Sequence, residues 1–299
     1  MVSRSERVLL TGSGGFTGRP LAARLRQDGH QVFGVTKGPA TSDEIQGDLL
    51  DRDWVHRTVA TLRPTVVIHL AALSPTQQTG RDAYAVNVDG TANLLAAVAA
   101  LRERPGRVIV ASSAAVYAPP LEDRAITEDH PLAPRGPYAE SKRAMEDIAG
   151  AFADRLPILI ARPFNYTGPG QDPANFFVPK LVDHFVRRAP RINLGNLDLF
   201  RDFSDIRRVV EVYARLITQA VDHGVVNICS GRTIHLAGII ELLREISGHS
   251  IEVVTDPALV RRGEPRTIQG SAVRLESMLG DLPNPDFRDT LRSMYESRR

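Results

Sequence analysis

Tyr138-Ala139-Glu140-Ser141-Lys142 sets a phenol and an ammonium four residues apart, one turn along a single face if the segment is helical. An ammonium beside a phenol favours the phenolate, and a phenol whose pKa moves toward neutrality exchanges a proton readily with a carbinol or ketone oxygen. Lysine is scarce in this chain. Lys37, Lys142 and Lys180 are the only ones in 299 residues, so chance is a poor source of the pair, although a solvated surface pair is the plain alternative. Ser113, in Ala111-Ser112-Ser113-Ala114-Ala115-Val116-Tyr117, follows an apolar run that reads as a strand, so its hydroxyl could hold the reacting oxygen at the strand's C-terminal end.

A second cluster suits an anion. Thr11-Gly12-Ser13-Gly14-Gly15-Phe16-Thr17-Gly18 follows the first apolar run, and Gly12, Gly15 and Gly18 repeat at intervals of three. In a dinucleotide-binding turn the first glycine permits the tight bend, the second lets the backbone approach a pyrophosphate, and the third lets helix and strand pack closely. The helix that follows turns its N-terminus to the anion. An NAD site would carry an acidic residue at the end of the second strand, roughly 20 residues on. Thr36-Lys37 stands there instead, a hydroxyl and an ammonium suited to a 2′-phosphate, so NADP(H) is the expected cofactor, with NAD(H) as the alternative. Lys37 on a solvated loop is the other reading. Asp48, in Gly47-Asp48-Leu49, could accept from the adenine amino group or simply form a turn.

These groups need a scaffold of parallel strands. Up to about Arg162 short apolar runs alternate with helix-patterned stretches, the rhythm of a Rossmann-type, doubly wound α/β sheet. Strand candidates are Arg7–Thr11, Gln31–Thr36, Val66–Leu70, Arg107–Ser112 and Ile158–Ala161; helix candidates include Arg19–Gln27, Asn87–Leu101 and Pro137–Ala153. Beyond Pro163 the apolar segments shorten and Gly, Pro and Asn become frequent. The expected division is a dinucleotide-binding domain over 1–162, also receiving part of about 200–225, and a smaller α/β substrate-binding lobe over 163–299.

The formal net charge of +2 and the scattered arginines lack the footprint of a nucleic-acid binder. The single cysteine, Cys229, allows no internal disulfide, and the histidines show no metal-site spacing, so no metal is expected. There is neither a signal-peptide h-region nor an apolar run long enough to span a bilayer, which makes a cytoplasmic, membrane-free protein the expectation.

The glycine turn, His69-Leu70-Ala71-Ala72, Asn87-Val88-Asp89-Gly90-Thr91, Ser112-Ser113-x-x-Val116-Tyr117 and Tyr138-x-x-x-Lys142 occur in the order seen in extended short-chain dehydrogenase/reductases, the NAD-dependent epimerase/dehydratase family, which the chain resembles over nearly its whole length. The resemblance implies that Tyr138 is the acid/base, that Lys142 binds the nicotinamide ribose and tunes Tyr138, and that Ser113 orients the substrate oxygen, with Ser112 beside it. It implies further cofactor contacts at Phe16, Thr17, Leu49, Leu70, Ala71, Ala72, Asn87 and Arg162. It also implies a homodimer formed through Asn87–Leu101 and Pro137–Ala153.

The second lobe is similar to a narrower branch, the GDP-4-keto-6-deoxy-D-mannose reductases, in Arg162-Pro163-Phe164-Asn165-Tyr166-Thr167-Gly168-Pro169-Gly170-Gln171, in Gly195 to Phe203, and in Asn227-Ile228-Cys229-Ser230-Gly231. That similarity implies a nucleotide-sugar substrate, GDP-linked in preference. Asn165, Arg201 and Arg261 would meet the diphosphate, Glu264 the nucleotide ribose, and Val178 and Lys180 would line the same site. A guanidinium suits a diphosphate and a carboxylate suits vicinal hydroxyls; the bland alternatives are a salt bridge from Arg201 to Asp202 or Asp205 and a solvated Glu264. Ala118, Arg262-Gly263 and Gly280-Asp281-Leu282-Pro283 depart from the branch's pattern.

Three functions fit. The first is NADPH-dependent reduction of the C4 ketone of a nucleotide-linked 4-keto-6-deoxyhexose, giving GDP-D-rhamnose or GDP-6-deoxy-D-talose. The second is a 4-epimerase that keeps NAD bound, and the third a non-catalytic dinucleotide sensor, against which the intact Ser113, Tyr138 and Lys142 set argues. Dehydratases of the family carry carboxylates directly after the triad serine, where this chain has Ala114 and Ala115. Glu122 and Asp123 follow only beyond Pro119-Pro120.

Overall fold

The structure, a computed structural model, describes residues 5–73, 84–120, 124–219, 223–260 and 263–299. Seven strands form its central sheet: β1 (Arg7–Thr11), β2 (Gln31–Thr36), β3 (Glu44–Gln46), β4 (Val66–His69), β5 (Arg107–Ala111), β6 (Ile158–Pro163) and β10 (Gly224–Ile228). They run in the order β10-β6-β5-β4-β1-β2-β3 with every neighbouring pair parallel. A parallel sheet is covered on both faces, and its strands therefore read as continuous apolar runs. The two faces divide by alternation. Val8, Leu10, Val66 and Ile68 join α1 (Gly18–Gln27) and α6 (Ile206–Leu216) in one core cluster. Leu9, Val67, Val108 and Val110 join α2 (Arg52–Leu62), α3 (Gly90–Ala99) and α4 (Pro137–Gly150) in the other. The strand order reverses between β1 and β4, the place where ligands of such sheets sit.

Local chemistry sets the elements next to the site. Gly12 has φ +74, and a Cβ there would lie 2.8 Å from the Ala71 nitrogen, so only glycine lets β1 turn beside the end of β4. A Cβ on Gly18 would strike the Gly12 carbonyl oxygen, which keeps α1 tight against the turn. Pro137 opens α4 at its first turn, where a missing N–H costs nothing. The Asn87–Leu101 candidate is two pieces, a π-helical turn at Ala85–Asp89 leading into α3. Strand β3 and strand β10 extend the sheet beyond the candidates read from apolar runs.

The remaining strands, β7 (Asn165–Thr167), β8 (Arg191–Leu194), β9 (Phe200–Asp205), β11 (Thr233–His235), β12 (Glu252–Thr255) and β13 (Thr267–Ile268), form two small sheets: β11-β9-β13 with β7 on β9, and β12-β8. They share a separate core with α5 (Phe177–Val186), α7 (Leu236–Ser247) and α9 (Phe287–Glu296), built on Phe185, Leu194, Leu243 and Met294. α8 (Val273–Leu279) returns to the large sheet, where Leu275 and Leu279 join the α1 and α6 face. No helix among the described residues is long and apolar enough to cross a membrane.

Candidate active site

Ser113, Tyr138 and Lys142 meet at the C-terminal end of β5. Ser113 is the N-cap of a short 3-10 turn, Ala114–Val116, and its Oγ accepts from the Ala115 N–H at 3.2 Å. Lys142 lies one turn below Tyr138 on α4, buried, and its Nζ donates to the Ala111 carbonyl at 2.7 Å. Burial pushes its ammonium down to about 8, with the nearby Glu146 carboxylate opposing the shift.

Tyr138 corrects one expectation. Burial pushes its phenol up to about 12, with only the Ser113 hydroxyl pulling the other way. The Lys142 ammonium expected to lower it donates to the Ala111 carbonyl and does not offset the burial. In the chain alone, desolvation therefore decides the phenol's acidity, and the residue is a protonated donor across the neutral range.

Behind the triad runs a directional polar chain. The Ser141 Oγ donates to the Tyr138 carbonyl at 2.8 Å, and the Asn87 side-chain amide donates to Ser141 Oγ at 2.9 Å. Asn87 Oδ1 accepts from the Leu73 N–H at 3.0 Å, which fixes the Leu70-Ala71-Ala72 segment after β4 against α4. Thr91 donates to the Asn87 carbonyl at 2.6 Å, so its oxygen must accept from His69 Nε2 at 2.8 Å, and His69 Nδ1 accepts from Thr11 at 2.7 Å. Burial holds His69 down at about 3, so it stays neutral and this one tautomer persists.

The glycine turn meets the second lobe through aromatic rings. Phe16 stacks on Tyr166 of β7 with centroids 5.9 Å apart, and Thr17 Oγ1 lies 2.9 Å from the Tyr166 hydroxyl. A cavity of about 450 Å³ beside the turn is lined by Gly14, Gly15, Phe16, Arg19, Gly170 and Arg207. Turn, cavity and the N-terminal end of α1 fit a pyrophosphate, and the buried Ser112 Oγ has no hydrogen-bond partner among the described residues, which leaves a polar atom at the end of β5 for a ligand.

The exposed Lys37 is ion-paired with Asp48 at 2.8 Å, so both expected adenosine contacts are held by one another; Leu49 is buried beside them. A carboxylate is present after all: Glu44 of β3 accepts from Ser13 Oγ at 2.6 Å and from Thr41.

Arg162 faces inward. Its guanidinium makes two hydrogen bonds to the buried Glu146, at 2.8 and 2.7 Å, and lies 4.8 Å over the Tyr117 ring. The guanidinium expected at the cofactor instead joins β6 to α4 through this buried pair. Val178 likewise turns its side chain into the second lobe's core, which leaves its backbone N–H in the first turn of α5 as the group able to meet a ligand. Lys180 is half-buried on the same helix.

Arg201 and Glu264 are brought together, though neither to Asp202 nor to solvent: Arg201 Nη2 bonds Glu264 Oε1 at 2.8 Å. Asn165 is exposed, its amide donating to the Asp202 carbonyl at 3.2 Å. Asp202 itself is fully buried and accepts from Ser230, Gly231 and Gly270, tying β9 to the segments after β10 and β13. Arg261, Glu122 and Asp123 lie outside the described residues. Glu44, Glu146 and Tyr166 were not anticipated from the sequence; a strand partner for β2, the i+4 spacing from Lys142 to Glu146 and the aromatic after Asn165 were the available signals.

A family model described as the NAD dependent epimerase/dehydratase family matches residues 8–229. The chain is 33% identical to a GDP-6-deoxy-D-mannose reductase of Pseudomonas aeruginosa and 33% identical to a GDP-6-deoxy-D-talose 4-dehydrogenase of Aggregatibacter actinomycetemcomitans, in each case over 98% of both chains. Among solved structures it superposes with a TM-score of 0.92 on a Burkholderia cenocepacia J2315 protein described as an epimerase, at 43% identity over 98% of both chains. It superposes with a TM-score of 0.83 on the NADPH complex of a Pseudomonas aeruginosa protein named RMD, at 31% identity over 98% of both chains.

Proposed function

Because the chain belongs to the NAD dependent epimerase/dehydratase family, and so to the nicotinamide-dinucleotide oxidoreductases acting on nucleotide sugars, we propose that it reduces the C4 ketone of a GDP-linked 4-keto-6-deoxyhexose. Hydride delivery to one face of C4 gives GDP-D-rhamnose, and to the other GDP-6-deoxy-D-talose. The observation that carries the reading is the placing of Tyr138 beside Ser113 at the end of β5, followed by the methyl groups of Ala114 and Ala115 where an elimination would need acid/base groups. The names of the two curated relatives support the GDP-linked 6-deoxyhexose.

A reduced dinucleotide, when bound, would supply the hydride for C4. Ser113 Oγ orients the ketone oxygen, and Tyr138 gives it the phenolic proton as negative charge develops there. The phenol is then reprotonated from solvent. Lys142, deep at the same end, holds its charge toward the expected nicotinamide ribose and stabilises the phenolate while it lasts. Thr36 and Lys37 favour NADP(H), with NAD(H) also accepted, since Lys37 has only to exchange Asp48 for a 2′-phosphate. Arg201, Arg261 and Asn165 take the diphosphate and Glu264 the nucleotide ribose, which requires the Arg201–Glu264 pair to open. The cytoplasmic, homodimeric form expected from the sequence completes the proposal.

The test follows NADPH and NADH oxidation with GDP- and dTDP-linked 4-keto-6-deoxysugars in parallel, with NMR of the product. Net oxidation with the GDP-linked ketone supports the reading. Interconversion of C4 epimers without net oxidation, with NAD(H) retained through purification, would identify a 4-epimerase instead.

A further inference from the structure

At the N-terminal edge of β3, Glu44 pairs in register with Gly34 of β2, and its side chain crosses Gly34 to reach the glycine turn. Oε1 accepts from Ser13 Oγ at 2.6 Å, while Oε2 accepts from the Thr41 N–H at 3.2 Å and its hydroxyl at 3.1 Å. A Cβ placed on Gly14 would meet Thr36 Oγ1 at 2.9 Å and Glu44 Oε1 at 3.7 Å, so the carboxylate and the end of β2 flank the same glycine. Thr36 stands where an NAD site carries its ribose-binding acid. The fold thus returns to this wall, from the next strand, the carboxylate that β2 lacks. These hydrogen bonds, with Arg19 nearby, hold Glu44 below the usual carboxylate range, so its charge is fixed at neutral pH.

We propose that Glu44, anchored on Ser13, moderates the dinucleotide preference, penalising the 2′-phosphate of NADP(H) and offsetting part of the attraction of Thr36 and Lys37. The inference rests on the dinucleotide reading above. An ionised carboxylate accepts from a ribose hydroxyl and repels a phosphate dianion, whereas its amide isostere keeps the acceptor for Ser13 and loses the repulsion. Lys37 provides only a partial counterweight because it is exposed and already paired with Asp48.

Dissociation constants for NADPH and NADH are measured on the full chain from the fluorescence of Trp54, its single tryptophan, which packs against Gly47 beside Asp48. Wild type is compared with Glu44→Gln and Glu44→Ala. The ratio of the two constants is taken within each variant, which cancels any change in folded fraction. Both substitutions are expected to shift that ratio toward NADPH by about tenfold, mainly by tightening NADPH. A ratio within about twofold of wild type in both variants overturns the proposal. A shift in Glu44→Ala alone overturns it too, since size rather than charge would then discriminate. A wild-type chain that binds neither dinucleotide overturns the dinucleotide reading together with the proposal.

Discussion

Lys142 and Arg201 are both buried cations that the sequence assigns to a ligand, and the two halves of the chain hold them differently. Lys142 rests on a neutral backbone carbonyl, with burial depressing its ammonium to about 8. Arg201 is already ion-paired with Glu264, the other residue expected to meet the nucleotide. A charge held by a carbonyl keeps its attraction for an incoming ligand, while a charge neutralised by its partner must exchange it. The triad end of β5 is therefore preorganised, down to the tautomer of His69, while Lys37 at the adenosine end is, like Arg201, already paired. In the second lobe, binding replaces one set of charge-assisted bonds by another, so affinity there is a difference between two large terms.

If the triad end is built for ketone reduction alone, the protein leaves GDP-mannose unchanged: elimination needs acid/base groups typically worth ~10²–10⁴-fold each, and Ala114 and Ala115 provide none. Appearance of the 4-keto product from GDP-mannose with this protein alone, by mass spectrometry, would count against the reductase reading.

Tyr138→Phe keeps the ring and removes the donor. Turnover should fall by ~10²-fold or more while reduced dinucleotide still binds, as steady-state rates and fluorescence titration report separately. Near-normal turnover would remove Tyr138 from the mechanism.

Preorganisation of Lys142 has a thermodynamic signature. Its folded pKa lies below the unfolded value, so between about pH 8 and 10.5 the unfolded chain binds more protons and stability contributed through this group rises with pH. The full span is worth about 3 kcal/mol. Urea unfolding of the cofactor-free protein across that window should show the slope, and Lys142→Met should flatten it.

Lys37→Ala should weaken NADPH about tenfold and NADH much less, the lower end for a charge-assisted phosphate contact because the ammonium is exposed and shared with Asp48. Equal losses for the two cofactors would exclude the contact.

Features carried by a single element are legible in the chain. β1 and β2 begin and end where their apolar runs do, and the triad was readable because Tyr138 and Lys142 are one helical turn apart, with Ser113 at a strand end. Glu44 was hidden because Glu-Ile-Gln carries no apolar run; only pairing with β2 makes it a strand. The Arg201–Glu264 pair spans 63 positions and depends on β13 lying along β9, and Arg162 meets Glu146 only where β6 lies beside α4. Spacing along one element is written in the chain; which charges neutralise one another across elements is decided by packing.

Hydride transfer to C4 with Tyr138 supplying the proton can be followed by NMR, using a reduced dinucleotide deuterated at C4 of its nicotinamide and GDP-4-keto-6-deoxy-D-mannose as substrate. One C4–H or C4–D bond should form on the sugar for each dinucleotide oxidised, with all the transferred label at that carbon and none at C3 or C5. Turnover of the sugar without net oxidation, or label at any other carbon, would contradict it.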